Sequence, residues 1–395
     1  MILIVSALFP PEPTVSAAIS YDIADALGQS GKTVVISPEP TRPLGMKYDQ
    51  ENYKKNIFDH IVVNSFTCPE SSVVGRLRES YSFGIKLKNY ITENHHDIEV
   101  VYANTWPMFS QFILARVCRK YGVPYVLHVQ DIYPESLTVR LGLLNVFFTK
   151  LLLPIDRYIL SNAKQVITIS SQMKSNLIGS RKLDSKHLAV VRNWQDDSLF
   201  ISDDCLIKSV DCFTFMFVGT VNKTANVDHI VRAFGELNPL NAKLIIAGDG
   251  PDRDRVLSIA KNYSANIEFI NVSPSEVPGL QRQANVLILA LKKGVGSTAL
   301  PSKLTAYLYS SRPVLVSVDT LSETASIIRD NECGWAVESE NIEAFKKALN
   351  SIFLLSSDEL ITMGRNGLEY ATNNLSKKNN LNKMVGLILN SRRKL

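Results

Sequence analysis

The chain has little cysteine and no arrangement of it: Cys68, Cys118, Cys205, Cys212 and Cys333 are an odd set, with no CxxC and no histidine cluster beside them. That argues against a disulfide framework and a structural zinc site, and predicts reduced thiols in a cytosolic protein. There is no long basic run, and a net charge of +5 falls short of a nucleic-acid footprint, although it suits an anionic ligand or an anionic membrane surface. Met1 runs straight into ILIVSALF, with no basic n-region and no small-residue cleavage site, so the chain is predicted to stay on the cytoplasmic side. The apolar stretch Leu141 to Ile155 is shorter than the roughly 20 residues a spanning helix needs, and Asn145, Lys150 and Pro154 interrupt it. It cannot span a bilayer. A buried or partly exposed helix and a membrane-surface contact flanked by Arg140, Lys150 and Arg157 both stay open. No carboxylate pair of glycosidase character stands out, which disfavours hydrolysis.

What is present is length and alternation. At 395 residues the chain exceeds one ordinary core, and with 45% hydrophobic and 21% charged residues it has material for two. Strand candidates at 2–7, 33–37, 60–66, 99–103, 124–129, 165–169 and 188–192 alternate with helical stretches such as 16–29, 74–93 and 106–121. This predicts an α/β doubly wound parallel sheet. The polar, acidic, aperiodic run 197–211 is the best linker, and a second alternation follows with strands near 213–218, 243–247, 267–270, 286–290, 313–317 and 334–338. The last stretch, 357–393, predicts two helices, the final one basic and amphipathic.

The second half carries the motifs of a phosphate site: a diphosphate needs backbone N–H donors, a helix N-terminus and a cation. In FTFMFVGTVNKTAN, Gly219 closes a strand and Asn222 and Lys223 follow, with Lys223 where a diphosphate clamp would sit. Alone, this is also what a polar turn looks like. GSTALPSKL is stronger: Ser302 is predicted to cap a helix, Pro301 to lead into it, Ser297 to Leu300 to aim amides at a ligand, and Lys303 to supply charge. A capped surface helix with a solvated lysine is the plainer alternative. Gly248 opens the tight turn GDGP, which would shape a wall beside the ligand, and Glu323 opens a helix as either an N-terminal charge or a ligand contact.

The first half offers a loop of small residues, Val15, Ser16 and Ala17, open to close approach, and Arg42 after the second strand as an acceptor-phosphate contact or a surface arginine. In YVLHVQDIYPES, His128 and Gln130 share one strand face, and Asp131, Tyr133, Pro134 and Glu135 form the loop at its end. His128 is better read as a buried structural histidine, and Gln130 and Asp131 are the better active-site candidates.

The order of these pieces resembles the donor-binding half of the family-4 retaining glycosyltransferases of GT-B architecture. FPPEPTVSA at Phe9 to Ala17, and the Pro-Ser-Lys helix before Arg312-Pro313-Val314, resemble a bacterial O-antigen and capsule subgroup that includes N-acetyl-L-fucosamine transferases. The resemblance implies two facing Rossmann-like domains with the site in the cleft: an acceptor domain 1–200, a nucleotide-sugar domain 201–375 and a C-terminal helix 376–395 crossing back to the first. It implies retention, no metal and no cofactor, with a nucleotide sugar, taken to be a UDP-sugar, as donor substrate. The residues themselves do not distinguish uracil from guanine. The base would be held near Asn271 and Val272, and the turn Asn193 to Asp196 would lie at the hinge side. The acceptor would be a polyprenyl-diphosphate-linked saccharide at the inner membrane surface. Two departures stand out. The family's paired glutamates fall at Thr298 and Ala306, and neither can do a carboxylate's work; the histidine that many relatives carry before Asp131 is Gln130 here. The rival functions are a sugar-nucleotide 2-epimerase and a non-catalytic nucleotide-sugar-binding partner.

Overall fold

A computed structural model describes residues 1–41, 57–68, 72–104, 108–138, 145–194, 200, 212–273, 275–295 and 300–394. The chain divides into two compact units, Met1–Asn193 with Asn380–Leu395, and Trp194–Asn379. The first holds β1 (Ile2–Val5), α1 (Val15–Gly28), β2 (Thr33–Pro38), β3 (Asp59–Val63), α2 (Val73–Asn94), β4 (Val100–Asn104), α3 (Met108–Tyr121), β5 (Tyr125–Val129), α4 (Glu135–Thr138), α5 (Asn145–Asn162), β6 (Gln165–Thr168), α6 (Ser171–Arg181) and β7 (Leu188–Val190). The second holds β8 (Phe213–Val218), α7 (Val227–Leu237), β9 (Ala242–Ala247), α8 (Arg253–Ala260), β10 (Ile267–Ile270), α9 (Val277–Gln281), β11 (Val286–Ala290), α10 (Ser302–Tyr309), β12 (Val314–Val318), α11 (Glu323–Asp330), β13 (Gly334–Glu338), α12 (Ile342–Ile352) and α13 (Ser357–Asn374). A last helix, α14 (Lys377–Asn390), leads back to the first unit.

Both sheets are parallel, in the orders β3-β2-β1-β4-β5-β6-β7 and β10-β9-β8-β11-β12-β13. Helices cover both faces of such a sheet, so central strands read as unbroken apolar runs; β1, β4, β5 and β11 are buried at every residue. Alternation divides the second unit's core. Met216, Val218, Leu287 and Leu289 pack with α10, while Phe215, Phe217, Leu244 and Ile288 pack with α7 and α12. Each order reverses once, between β1 and β4 and between β8 and β11, and ligands of open α/β sheets collect at the carboxyl ends of the strands at such points.

The unit boundaries fall at 193/194 and 379/380, whereas the sequence placed them at 200/201 and 375/376. Most of the linker 197–211 lies outside the described residues, but Phe200 is buried in the second unit's core, stacks on Tyr309 and accepts from Arg282 at 3.2 Å. The short apolar segment Leu199 to Ile201 within that run is too weak a periodic signal to move a boundary. At the other end, Asn380 Oδ1 accepts from the Arg192 amide at 3.2 Å, and Arg393 donates to the carbonyls of Ile98 at 2.9 Å and Tyr121 at 3.2 Å. Glu99 joins both termini, pairing with the Met1 amine at 2.8 Å and Arg392 at 3.5 Å.

Residues 141–144 lie outside the described residues; the rest of that apolar stretch opens α5, which contains Pro154. It is not buried. Val146, Phe147 and Leu151 are 64%, 65% and 59% exposed, while Ile159 and Leu160 at the far end enter the core. No helix among the described residues is long and apolar enough to cross a membrane.

Candidate active site

At the reversal point of the second unit, β8 is followed by Gly219 with φ +141°, a conformation that favours glycine. A Cβ there would lie 2.4 Å from Lys303 Cε, and one on Gly248 would lie 2.3 Å from the Gly219 carbonyl oxygen. The two loops are joined by backbone bonds, Gly219 N to Ala247 O and Val221 N to Asp249 O, each 2.9 Å. Gly219, Gly248 and Lys303 are therefore brought together. Lys303 runs its apolar stem across Gly219, donates to the Thr220 carbonyl at 3.1 Å and stands 4.5 Å from the Phe217 ring centroid. It makes no ion pair among the described residues, and burial pushes its pKa down to about 8. A partly desolvated ammonium given a carbonyl and a ring face is prepared for an anion.

Sequence reasoning missed the residue that holds α10 in place. Tyr307 is buried; its hydroxyl accepts from Val218 N at 2.8 Å and donates to Val218 O at 2.9 Å, one residue before Gly219. The only hint was an aromatic one turn beyond Lys303. Ser302 requires a correction. The N-cap is Pro301, which has no side-chain oxygen to offer, and Ser302 is the first helical residue. Proline's fixed φ sets the chain's entry one residue earlier than a serine cap would. Ser297 and Thr298 lie outside the described residues, and Ala306 is buried in the core cluster, so its place offers nothing to a ribose.

Of the other predicted donor residues, Asn222 and Lys223 follow Gly219 in the same β8–α7 loop, Val272 follows β10 and Glu323 opens α11. Asn222 caps a single 3₁₀ turn, accepting from Ala225 N at 2.9 Å, and leaves Lys223 exposed on it. Val272 is half-buried after β10 and packs on the core cluster. Glu323 is the first residue of α11 behind the Ser322 cap, where its charge complements the helix dipole.

In the first unit, the reversal point is filled by a hydrogen-bonded lattice that sequence reasoning also missed. Asn104 Nδ2 donates to Ser6 Oγ at 2.8 Å and Ser20 Oγ at 2.9 Å, and Gln111 donates to the Asn104 carbonyl at 2.9 Å. Beside it, Ser16 Oγ donates to Gln130 Oε1 at 2.6 Å, joining two of the predicted residues. Val15 is exposed on the first turn of α1, which Thr14 caps; Arg42 lies outside the described residues. Asn193 is half-buried and Trp194 buried, and the rest of that turn is outside the described residues.

His128 is fully buried, shares a 2.8 Å hydrogen bond with the Tyr102 hydroxyl, and burial pushes its pKa down to about 3. That corrects its place among the catalytic candidates: it is a neutral core group out of a substrate's reach. Asp131 is exposed at the strand end, although the protein around its carboxyl raises its pKa. The loop it opens is clamped by Arg181, 2% exposed, which donates to both Glu135 carboxylate oxygens and the Tyr133 carbonyl, each at 2.6 Å, and to Asp156 at 2.8 Å. Against that pull, burial lifts Asp156 to about 6.

Residues 18–199 match the model described as Glycosyltransferase Family 4, and residues 207–370 the one described as Glycosyl transferases group 1. The chain is a GT-B glycosyltransferase. WbjE of Pseudomonas aeruginosa, named as a probable glycosyltransferase, is 23% identical to it over 75% of each chain. WcaI of Escherichia coli K12, provisionally named as a colanic acid biosynthesis glycosyl transferase, is 22% identical over 97% of this glycosyltransferase and 98% of WcaI. Among solved structures, HepE of Anabaena in complex with UDP superimposes with a TM-score of 0.70 at 12% identity, covering 98% of this chain and 99% of that one. WaaG, a glycosyltransferase of lipopolysaccharide biosynthesis, gives 0.66 at 15%, covering 98% and 99%. Among the described residues of this glycosyltransferase, no group of three His, Cys, Asp or Glu could hold a metal ion.

Proposed function

We propose that this glycosyltransferase moves a sugar, an N-acetylated amino sugar carried by UDP, to a polyprenyl-diphosphate-linked saccharide during assembly of a bacterial surface polysaccharide. The observation that carries the donor half is Lys303, a half-buried ammonium with no ion pair among the described residues, at the strand-end reversal, beside Gly219 and Gly248 and in the first turn of α10. Such a group holds the donor diphosphate and neutralises the charge that builds on it as the sugar leaves, commonly the largest catalytic contribution. The UDP complex of HepE supports a uridine nucleotide, and the names of WcaI and WaaG support a surface-polysaccharide role. Transfer proceeds with retention and without a metal, with Gln130 and Asp131 at the transferred sugar and Ser16 fixing Gln130.

The acceptor half is supported by α5. Its exposed Val146, Phe147 and Leu151, with exposed Lys150 and Arg157 alongside, suit a peripheral contact with an anionic inner-membrane surface, where a lipid-linked acceptor would be met.

The test is thermal stability with a panel of UDP-, GDP- and dTDP-sugars. A ligand at about 100 times its Kd adds roughly 2.7 kcal/mol. The UDP-sugars should stabilise, and Lys303→Ala should cut the effect to about 1.4 kcal/mol or less; a folded protein that responds to no nucleotide sugar contradicts the proposal.

A further inference from the structure

Between the helices that cover one face of the first unit's sheet runs a groove of about 810 Å³, within the roughly 300–1,000 Å³ of small-molecule sites. Its middle is apolar: Ile85 from α2, Phe109, Phe112 and Ile113 from α3, and Ile155 from α5. Gly84 lets α2 and α3 come close enough to form it, since a Cβ there would lie 2.8 Å from Ile113 Cδ1 and 2.9 Å from Ser110 Cα. Lys88, Arg116 and Lys120 also line the groove, all three are exposed, and no carboxylate among the described residues lines it. On each helix the lining residues are three or four apart, so each contributes a single stripe: Tyr81, Ile85 and Lys88 on α2, and Phe109, Ile113, Arg116 and Lys120 on α3.

The stripes have a direction. Crossover helices run back from the carboxyl edge of a parallel sheet to its amino edge, so the groove is apolar toward the carboxyl edge and cationic at the other end. We propose that this groove binds one bilayer phospholipid with an anionic headgroup, its acyl chain along Ile85, Phe112 and Ile113 and its phosphate among Lys88, Arg116 and Lys120. An apolar channel alone would accept many occupants; three cations at one end, with no carboxylate among the described lining residues, select an amphiphile whose charge is negative and terminal. Ile155 belongs to both the groove and α5, the helix with the exposed Val146, Phe147 and Leu151, so the channel adjoins an apolar surface already directed to solvent.

The same direction sets this site apart from the acceptor's. The loop carrying Asp131 leaves β5 at the carboxyl edge, whereas Lys120 lies eleven residues along α3 from Phe109, about 16 Å of helix toward the opposite edge. A lipid phosphate held by Lys88, Arg116 and Lys120 is turned away from the reacting sugar, so the lipid retains the protein at the membrane and takes no part in transfer. The inference does not rest on the proposed donor or acceptor.

The test uses the full chain and single-chain lysolipids kept monomeric. Lysophosphatidylglycerol should bind saturably at one site, about tenfold or more tighter than lysophosphatidylcholine, and millimolar inorganic phosphate should not displace it. Ile85→Trp, which fills the channel, and the combined Lys88→Ala, Arg116→Ala and Lys120→Ala variant should each weaken it by about tenfold or more while melting temperature and the nucleotide-sugar shift stay as in the parent. Leu151→Asp should lower sedimentation with phosphatidylglycerol vesicles and leave lysolipid binding intact. Non-saturable partitioning, equal affinity for the two lysolipids, displacement by free phosphate, or binding that survives both groove variants would overturn the proposal.

Discussion

Where β1 and β4 part, Asn104, Ser6 and Ser20 satisfy one another through neutral hydrogen bonds, and the neighbouring loop is held by a buried, fully engaged Arg181. Where β8 and β11 part, a half-buried cation has, among the described residues, a carbonyl and a ring as its partners. The fold is the same in both places, but one polar set is complete without a ligand and the other becomes complete with one. An internally satisfied lattice contributes to folding; an unpaired charge contributes to binding and subtracts from folding.

Breaking the comparison begins at Arg181. Its loss strands Asp156 and Glu135, and removing one partner of a buried ion pair costs about 3–5 kcal/mol. Chemical denaturation of Arg181→Ala should show that loss in the first unit, with nucleotide-sugar affinity close to the parent's. Lys303→Ala should do the reverse. Affinity should fall by about 1.5–3 kcal/mol, roughly 10- to 100-fold, while the unliganded protein stays as stable as the parent or gains, because a desolvated charge has gone. Isothermal titration and a melt on the same sample separate the two effects. Gly248→Ala lies between them: its Cβ meets the Gly219 carbonyl in a left-handed conformation, so it should cost about 1–3 kcal/mol of stability and displace the surface beneath Lys303, weakening binding as well.

The strands were legible because parallel, doubly covered strands are apolar throughout: FTFMFV and VLILA announce themselves, and the helices between them follow from the spacing. The glycines at strand ends were legible for the same local reason. Contacts between distant residues were not. Arg181 meets Glu135 across 46 positions, Tyr307 meets Val218 across 89, and Asn104 meets Ser6 across 98. None of these residues is unusual in its own segment; each acquires its role from the strand order, which a single sequence leaves open. Ser302 shows the finer limit, since serine and proline both signal a helix start and the choice between adjacent positions is made by backbone geometry. His128, set in an apolar strand, was legible as a buried group, and it is one.

The most direct test of the unpaired lysine is the pH dependence of UDP-sugar binding, measured by calorimetry in buffers of different ionisation enthalpy. Burial lowers the Lys303 pKa to about 8 in the free protein, and an anion beside it must raise it again. Binding should therefore take up a proton near pH 8 and weaken as pH rises through that value, and the uptake should vanish in Lys303→Ala. Tight binding with no proton uptake between pH 7 and 9, or uptake that persists without Lys303, would contradict the account.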